Sequence, residues 1–233
     1  MILRLTALLL FYLFALAALL FVLPAVWVFG AGGALIRAGQ GAMEASRRIL
    51  GLRVEVRGRE HLDPAGPAVF MPNHQSFLDG PLVFLLVPRT LRVIIKQSVF
   101  RVPVLGQGMR AAGFVPVDRK GVRTGRAAID RAARAMKGRG YSFLVFPEGT
   151  RTLTGRLREF RRGGFFLAAA AGAPVIPVSI QGTFALMPKG RLVPRRGPIR
   201  VTFHPPVPAA GVGPDEVGTL IARVRGAILA GLD

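Results

Sequence analysis

Short apolar runs alternate with helix-like stretches over most of the chain. Seven runs have the length and the β-branched or aromatic content of buried strands: residues 53–56, 68–71, 93–95, 114–117, 142–146, 175–180 and 199–203. Apolar positions recur at helical spacing in residues 76–87, 105–112, 123–137, 163–171 and 215–229. This alternation predicts an α/β domain whose layered sheet, mostly parallel or mixed, is flanked by helices.

The N-terminus follows a different pattern. Residues 5–36 contain no charged side chain, and as one helix they would be about 48 Å long, beyond the ~30 Å hydrocarbon core of a bilayer. That helix is interrupted at Pro24, Gly30, Gly32 and Gly33. We therefore expect a hydrophobic helix–break–helix membrane anchor within residues 1–50 and an α/β domain over residues 51–233.

The end of this segment is amphipathic. A helical wheel places its charged residues on one side, at Arg37, Glu44 and Arg48, and its apolar residues opposite, at Leu35, Ile36, Met43, Ile49 and Leu50. Such a helix is typical of a membrane surface. Only Arg4 precedes the apolar segment while arginines cluster after it, so the positive-inside rule predicts a cytoplasmic main domain. A cleaved secretory signal is the alternative, but the apolar stretch is too long for one.

The strongest candidate chemistry follows the second predicted strand, in Asn73-His74-Gln75-Ser76-Phe77-Leu78-Asp79. An imidazole with a nearby carboxylate is suited to taking a proton from a hydroxyl. Positions five apart on a helix point about 140° away from each other, so His74 can meet Asp79 only from the loop before the helix. The alternative is a capping box, in which Ser76 begins the helix and Asp79 binds backbone N–H groups.

Three further motifs coincide with predicted strands. In Phe146-Pro147-Glu148-Gly149-Thr150-Arg151 a turn projects Glu148, Thr150 and Arg151, which suits phosphate binding or an ordinary surface ion pair. Gly113-Phe114-Val115-Pro116-Val117-Asp118-Arg119 is a strand that ends in two charges, and Lys96 ends another strand. The prolines around Val175-Ile176-Pro177-Val178 indicate an edge or bulged strand.

The order of these motifs resembles the glycerolipid acyltransferase family, in particular its 1-acylglycerol-3-phosphate (lysophosphatidate) acyltransferases with the His-x4-Asp motif. The resemblance runs from about Arg53 to His204. It implies transfer of a fatty acyl group from an acyl thioester to the sn-2 hydroxyl of lysophosphatidate, giving phosphatidate in membrane phospholipid synthesis. Transfer to another lysophospholipid or to a lyso-ornithine lipid is the alternative.

The resemblance also implies roles for individual residues. His74 would be the general base, and Asp79 would orient its imidazole. Cationic side chains would bind the acceptor phosphate, namely Arg119, Arg151 and, more weakly, Lys96. The acceptor site would also include Glu148, Gly149 and Thr150. No tightly bound cofactor is implied, because acyl-CoA or acyl-acyl carrier protein is the acyl donor substrate.

Composition and charge narrow the classes of partner that the chain is expected to bind. The 233 residues carry a net charge of +20 and no cysteine, so disulfides and thiolate metal sites are excluded. Three scattered histidines (His61, His74 and His204) show no metal-ligand spacing. The positive charge suits anionic phospholipid and an acidic acyl carrier protein, whereas no motif indicates specific nucleic-acid binding. We expect the catalytic domain on the cytoplasmic face of the cell inner membrane, in contact with lysophosphatidate and anionic lipid.

Overall fold

The computed structural model describes Thr6, Leu9 and residues 32–62, 66–87, 91–102, 105–117, 122–191 and 193–232. Most of the N-terminal apolar segment, and with it the expected helix–break–helix anchor, lies outside the described residues, so the anchor stays a prediction. Among the helices of the described part, none combines the length and the apolar character needed to cross a bilayer.

Within the described residues, seven strands form one mixed sheet in the order β1-β7-β6-β2-β5-β3-β4. The strands are β1 Leu52–Arg57, β2 Val69–Pro72, β3 Leu91–Lys96, β4 Val115–Val117, β5 Ser142–Leu144, β6 Val175–Gln181 and β7 Gly197–Phe203. All neighbours are parallel except β6 and β7. The expected α/β architecture with a mostly parallel, mixed sheet is confirmed, and every predicted strand is present.

Helices connect most of these strands. They are α1 Gly32–Leu50, α2 Asp79–Leu86, α3 Leu105–Ala111, α4 Val122–Arg139, α5 Gly163–Ala171, α6 Thr183–Leu186 and α7 Val217–Ala230, with 3₁₀ turns at Arg59–Leu62 and Gln97–Arg101. The sequence pattern did not predict α6 or the 3₁₀ turns, because four or five residues are too few to show a helical period.

The sheet separates two apolar layers. In β2, Phe70 faces a core shared with α1 and α2, whereas Val69 and Met71 face a core shared with α4, α5 and α7. Successive strand side chains point to opposite faces, so a strand covered on both faces is apolar at every position. This explains why the central strands are continuous apolar runs in the sequence rather than alternating ones.

Part of the apolar side of α1 is used inside the protein. Ile36 belongs to the core next to α2, and Met43 and Leu50 pack against that core. Gln40 also donates from Nε2 to the Phe84 carbonyl at 2.9 Å. Three of the five apolar positions that predicted a membrane-surface helix therefore contact the protein's own core.

Strand β6 corrects one expectation. It lies between β2 and β7 with Val175 to Ile180 all buried, so the edge-strand interpretation of its prolines is wrong. Pairing with β7 starts at Val178, so Pro177 precedes that ladder. Proline has no N–H to donate, and Pro177 contributes only its carbonyl, which accepts the His204 N–H at 3.0 Å.

Candidate active site

The loop after β2 is fixed to the neighbouring strand by Asn73. Its side-chain Nδ2 donates to the Ile180 carbonyl at 3.0 Å, and its Oδ1 accepts the Ile180 N–H at 2.7 Å. The amide thus continues the β2–β6 pairing by one residue after the strand has ended. Because Asn73 is 1% exposed, this anchor is shielded from water and holds the next residue, His74, at the carboxyl edge of the sheet.

His74 lies in this loop and contacts Asp79. The distance from His74 Nδ1 to Asp79 Oδ2 is 3.0 Å, with the imidazole 20% exposed and the carboxylate fully buried. The same Oδ2 accepts the backbone N–H groups of Gln75 and Ser76, each at 2.6 Å. One carboxylate oxygen thus contacts both the imidazole and the backbone of the loop.

The start of α2 differs from the expected one. The helix begins at Asp79 after Leu78, rather than at Ser76. The Ser76 hydroxyl accepts the Leu78 N–H at 3.2 Å, which closes a separate turn ahead of the helix. Ser76 Oγ donates in turn to the Met187 carbonyl at 2.8 Å. Because this turn precedes the helix, His74 lies outside the helix and can contact Asp79.

The hydrogen bond at Nδ1 determines what the other ring nitrogen of His74 can do. A carboxylate only accepts, so Nδ1 carries the proton and Nε2 has a lone pair. No described residue forms a hydrogen bond with Nε2. The ring stacks on Phe146, with centroids 3.8 Å apart and planes at 23°. The imidazole is thus oriented on two sides and has one nitrogen ready to accept a proton.

Glu148 joins the turn after β5 to the loop that carries His74. It is 3% exposed, and its oxygens accept the His74 N–H at 2.5 Å and the Arg158 N–H at 2.9 Å. Burial raises the pKa of this carboxyl, while the two backbone hydrogen bonds act in the opposite direction. The sequence also allowed a surface ion pair at this motif. That alternative is wrong for Glu148, because its carboxylate is buried and accepts hydrogen bonds from backbone N–H groups.

The turn after β5 places the remaining residues of its motif. Gly149 has a φ of +72°, a conformation that favours glycine. Thr150 is exposed. The Thr152 N–H donates to the His74 carbonyl at 2.9 Å, so this turn is attached to the His74 loop. The guanidinium carbon of Arg151 lies 4.0 Å from the ring centroid of Phe77.

The other two predicted phosphate ligands are Lys96 and Arg119. Lys96 is exposed at the end of β3. Strand β5 separates β3 from β2, so Lys96 belongs to a strand about 10 Å to the side of the one that leads to His74. Arg119 lies outside the described residues, as does Asp118.

Two contributions were missed by the sequence reasoning. Gln75 donates from Nε2 to the Gly155 carbonyl at 3.1 Å, and Phe77 contacts Arg151. For Phe77 a signal existed, since it is a large apolar residue in an otherwise polar turn. Among the described residues, no group of three or more His, Asp or Glu side chains could hold a metal ion.

Comparisons with known proteins show which family the chain resembles. The family model described as Acyltransferase matches residues 53–181. The chain is 36% identical over 157 residues to the chloroplastic 1-acyl-sn-glycerol-3-phosphate acyltransferase BAT2 of Brassica napus, covering 66% of this chain and 45% of that protein. It is 35% identical over 183 residues to human 1-acyl-sn-glycerol-3-phosphate acyltransferase alpha, covering 78% of this chain and 64% of that protein. The chain thus spans about half to two thirds of the length of these relatives.

A solved structure is similar over nearly the whole chain. It is the crystal structure of the 1-acyl-sn-glycerophosphate (LPA) acyltransferase PlsC from Thermotoga maritima, with a TM-score of 0.79 and 28% sequence identity. The match covers 99% of this chain and 95% of that one.

Proposed function

The chain belongs to the acyltransferase family, and from that premise we propose that it transfers a fatty acyl group from an acyl thioester to the sn-2 hydroxyl of lysophosphatidate, giving phosphatidate. The observation that carries this proposal is the pairing of His74 Nδ1 with the buried Asp79 carboxylate, which leaves Nε2 as a base. The similarity to 1-acyl-sn-glycerol-3-phosphate acyltransferases supports lysophosphatidate as the acceptor.

The reaction needs one base and no covalent enzyme intermediate. As the acceptor hydroxyl attacks the thioester carbonyl, its proton moves to His74 Nε2 and a carbon–oxygen bond forms. The negative charge of Asp79 stabilises the imidazolium that results. When the carbon–sulfur bond breaks, the thiolate takes the proton from the imidazolium and leaves as a thiol. The thioester is already activated, so this direct transfer suffices.

Phosphate binding is assigned to the turn after β5. Arg151 lies next to residues attached to the His74 loop, and a guanidinium binds phosphate oxygens through two parallel N–H groups. Arg119 and Lys96 remain proposed as additional cations, and Thr150 as an exposed hydroxyl at the acceptor site. Glu148 acts by holding the His74 loop through its backbone rather than by touching the acceptor. Gly149 lets the backbone approach closely.

The setting of the enzyme is also a proposal. An acyl-CoA or acyl-acyl carrier protein supplies the acyl group, and no cofactor is tightly bound. The +20 charge favours contact with anionic phospholipid and with an acidic acyl carrier protein. The catalytic domain would work at the cytoplasmic face of the cell inner membrane, held there by the N-terminal segment.

The test supplies the purified full chain with lysophosphatidate and with CoA and carrier-protein thioesters of equal chain length, and identifies products by mass spectrometry. Competing acceptors are a lysophospholipid with a head group and a lyso-ornithine lipid. We expect phosphatidate from at least one donor. Acylation of a competing acceptor with no phosphatidate from either donor would contradict the proposal.

Removal of the phosphate ligand gives a second test. Arg151→Ala should raise the KM for lysophosphatidate by about 10- to 100-fold, because a charge-assisted hydrogen bond to phosphate is lost. Arg156→Ala, at an exposed position of the same loop, is the matched control and should leave the KM near that of the wild type. Equal KM values for both variants would remove Arg151 from the acceptor site.

A further inference from the structure

The aromatic ring of Phe77 and the guanidinium of Arg151 face each other across the two loops of the site. The Arg151 Cζ lies 4.0 Å from the ring centroid. Both residues have restrained backbones, since Phe77 lies between Ser76 and Leu78, which are hydrogen bonded to each other, and Arg151 precedes Thr152, which is bonded to His74. Hydrogen bonds therefore restrain the backbone on both sides of this cation–π contact.

Arg151 differs from the ion-paired arginines of the chain. Arg47 and Arg48 bind Glu44 at 2.7 and 2.6 Å, and Arg200 binds Glu55 at 3.1 Å. Within the described residues, no carboxylate forms an ion pair with Arg151. Its NH1 atom is buried and has no hydrogen-bond partner in the described part of the chain. Among the described residues, the recorded partner of this cation is the face of the Phe77 ring.

A ring restrains a guanidinium without using its hydrogen bonds. A carboxylate partner would occupy the N–H groups at the edge and cancel the positive charge. An aromatic face attracts the cation through its flat side and leaves the edge donors available for an anion. The stacking thus keeps both the charge and the donors that phosphate binding needs.

We infer that Phe77 is a positioning residue for the acceptor phosphate, because its ring holds the guanidinium plane of Arg151 in the orientation that presents N–H donors to the phosphate. This inference rests on the proposed function and extends it to a residue that touches no reacting atom. It also explains why a large apolar side chain, 61% exposed, follows His74 in a polar turn. Contact with lipid is the competing explanation of that exposure.

The experiment compares Phe77→Leu with Phe77→Tyr, which keeps an aromatic face. Phe77→Leu should raise the KM for lysophosphatidate by about threefold to tenfold with little change in kcat, since a cation–π contact is lost while His74 is untouched. Phe77→Tyr should stay within about twofold of the wild type. In an Arg151→Ala background, Phe77→Leu should add no further increase, because its effect runs through the guanidinium.

Controls separate this role from lipid contact and from misfolding. Leu153→Ala removes another exposed apolar side chain, 67% exposed, and should leave the KM unchanged. Binding to vesicles of anionic phospholipid is measured for every variant, and thermal melting verifies that each is folded. A rise in KM that parallels weaker vesicle binding would overturn the inference in favour of lipid contact.

The remaining outcomes are also decisive. The inference fails if Phe77→Leu leaves the KM unchanged, if Phe77→Tyr loses as much as Phe77→Leu, or if the effects of Phe77→Leu and Arg151→Ala add. If one of these outcomes occurs while Arg151→Ala still raises the KM in the same assay, only the inference fails and the proposed function stands. If the wild-type chain makes no phosphatidate, both fail together.

Discussion

His74 and His204 are both hydrogen bonded to side chains, yet their surroundings suit different tasks. His74 binds a buried carboxylate through Nδ1 and has no described partner at Nε2. His204 uses Nε2 itself, at 2.7 Å from the Ser179 hydroxyl, which donates in turn to the Ile228 carbonyl of α7 at 2.8 Å. Burial lowers the pKa of His204, with the charge of His61 adding to that effect.

The comparison shows what an imidazole needs in order to act as a base here. A carboxylate at one nitrogen sets the tautomer and stabilises the charged form, and the second nitrogen must stay open to the substrate. Among the described residues, His204 has no carboxylate partner, and its recorded side-chain hydrogen bond is to the Ser179 hydroxyl. Its ring instead joins β6 to the end of α7, where a side chain on Gly231 would collide with Ser179 and His204.

The largest expected effect separates the two histidines directly. His74→Ala should lower kcat by about 10²- to 10⁴-fold while the protein stays folded, because the loss is that of a general base. His204→Ala should leave kcat of the folded protein unchanged and lower the free energy of unfolding by about 1 kcal/mol, the value of one hydrogen bond. Initial rates and denaturant unfolding measure the two. Comparable loss of kcat in both variants would remove the distinction.

The carboxylate behind His74 is expected to matter nearly as much. Asp79→Asn should lower kcat by about 10²- to 10³-fold, because the neutral amide neither sets the tautomer nor stabilises the imidazolium. Asp215→Asn, at an exposed position, is the matched control for loss of a carboxylate. Turnover of Asp79→Asn close to that of this control would show that the carboxylate only supports the loop.

A smaller effect is expected at the carboxylate that holds the His74 loop. Glu148→Gln should lower the free energy of unfolding by about 1–3 kcal/mol, because an amide nitrogen would face one of the two backbone N–H groups. We also expect kcat to fall by roughly tenfold as the loop shifts. Glu159→Gln changes an exposed carboxylate of the same loop. If Glu148→Gln melts and turns over like Glu159→Gln, Glu148 does not hold the loop.

The smallest expected effect is the pH dependence that His204 adds to stability. Its folded pKa lies below the ordinary value of 6.5, so the unfolded chain binds the proton more readily. The stability contribution is complete above about pH 6.5 and decreases as the pH falls below it. Between about pH 7.5 and about pH 5.5, the melting temperature of the wild type should fall further than that of His204→Gln. Parallel decreases would show that His204 does not titrate in this way.

Local features of the sequence predicted much of this fold and part of the site. The strands were visible because sheets covered on both faces produce continuous apolar runs, and the His74–Asp79 contact because both residues share one short segment. The interior position of β6 was not predictable, since strand order depends on how crossovers pack. The clamp from Glu148 to the His74 loop joins residues 74 positions apart, and a contact of that kind leaves no local pattern.

The most direct test of His74 as the base is to follow carbethoxylation of its open Nε2 by diethyl pyrocarbonate. Peptide mapping by mass spectrometry gives the modified fraction of His74 and His204, and acyl transfer to lysophosphatidate is measured on the same samples. We predict that activity falls in proportion to the modification of His74 and does not depend on the modification of His204. Full activity with His74 modified, or loss of activity that follows His204 instead, would contradict this mechanism.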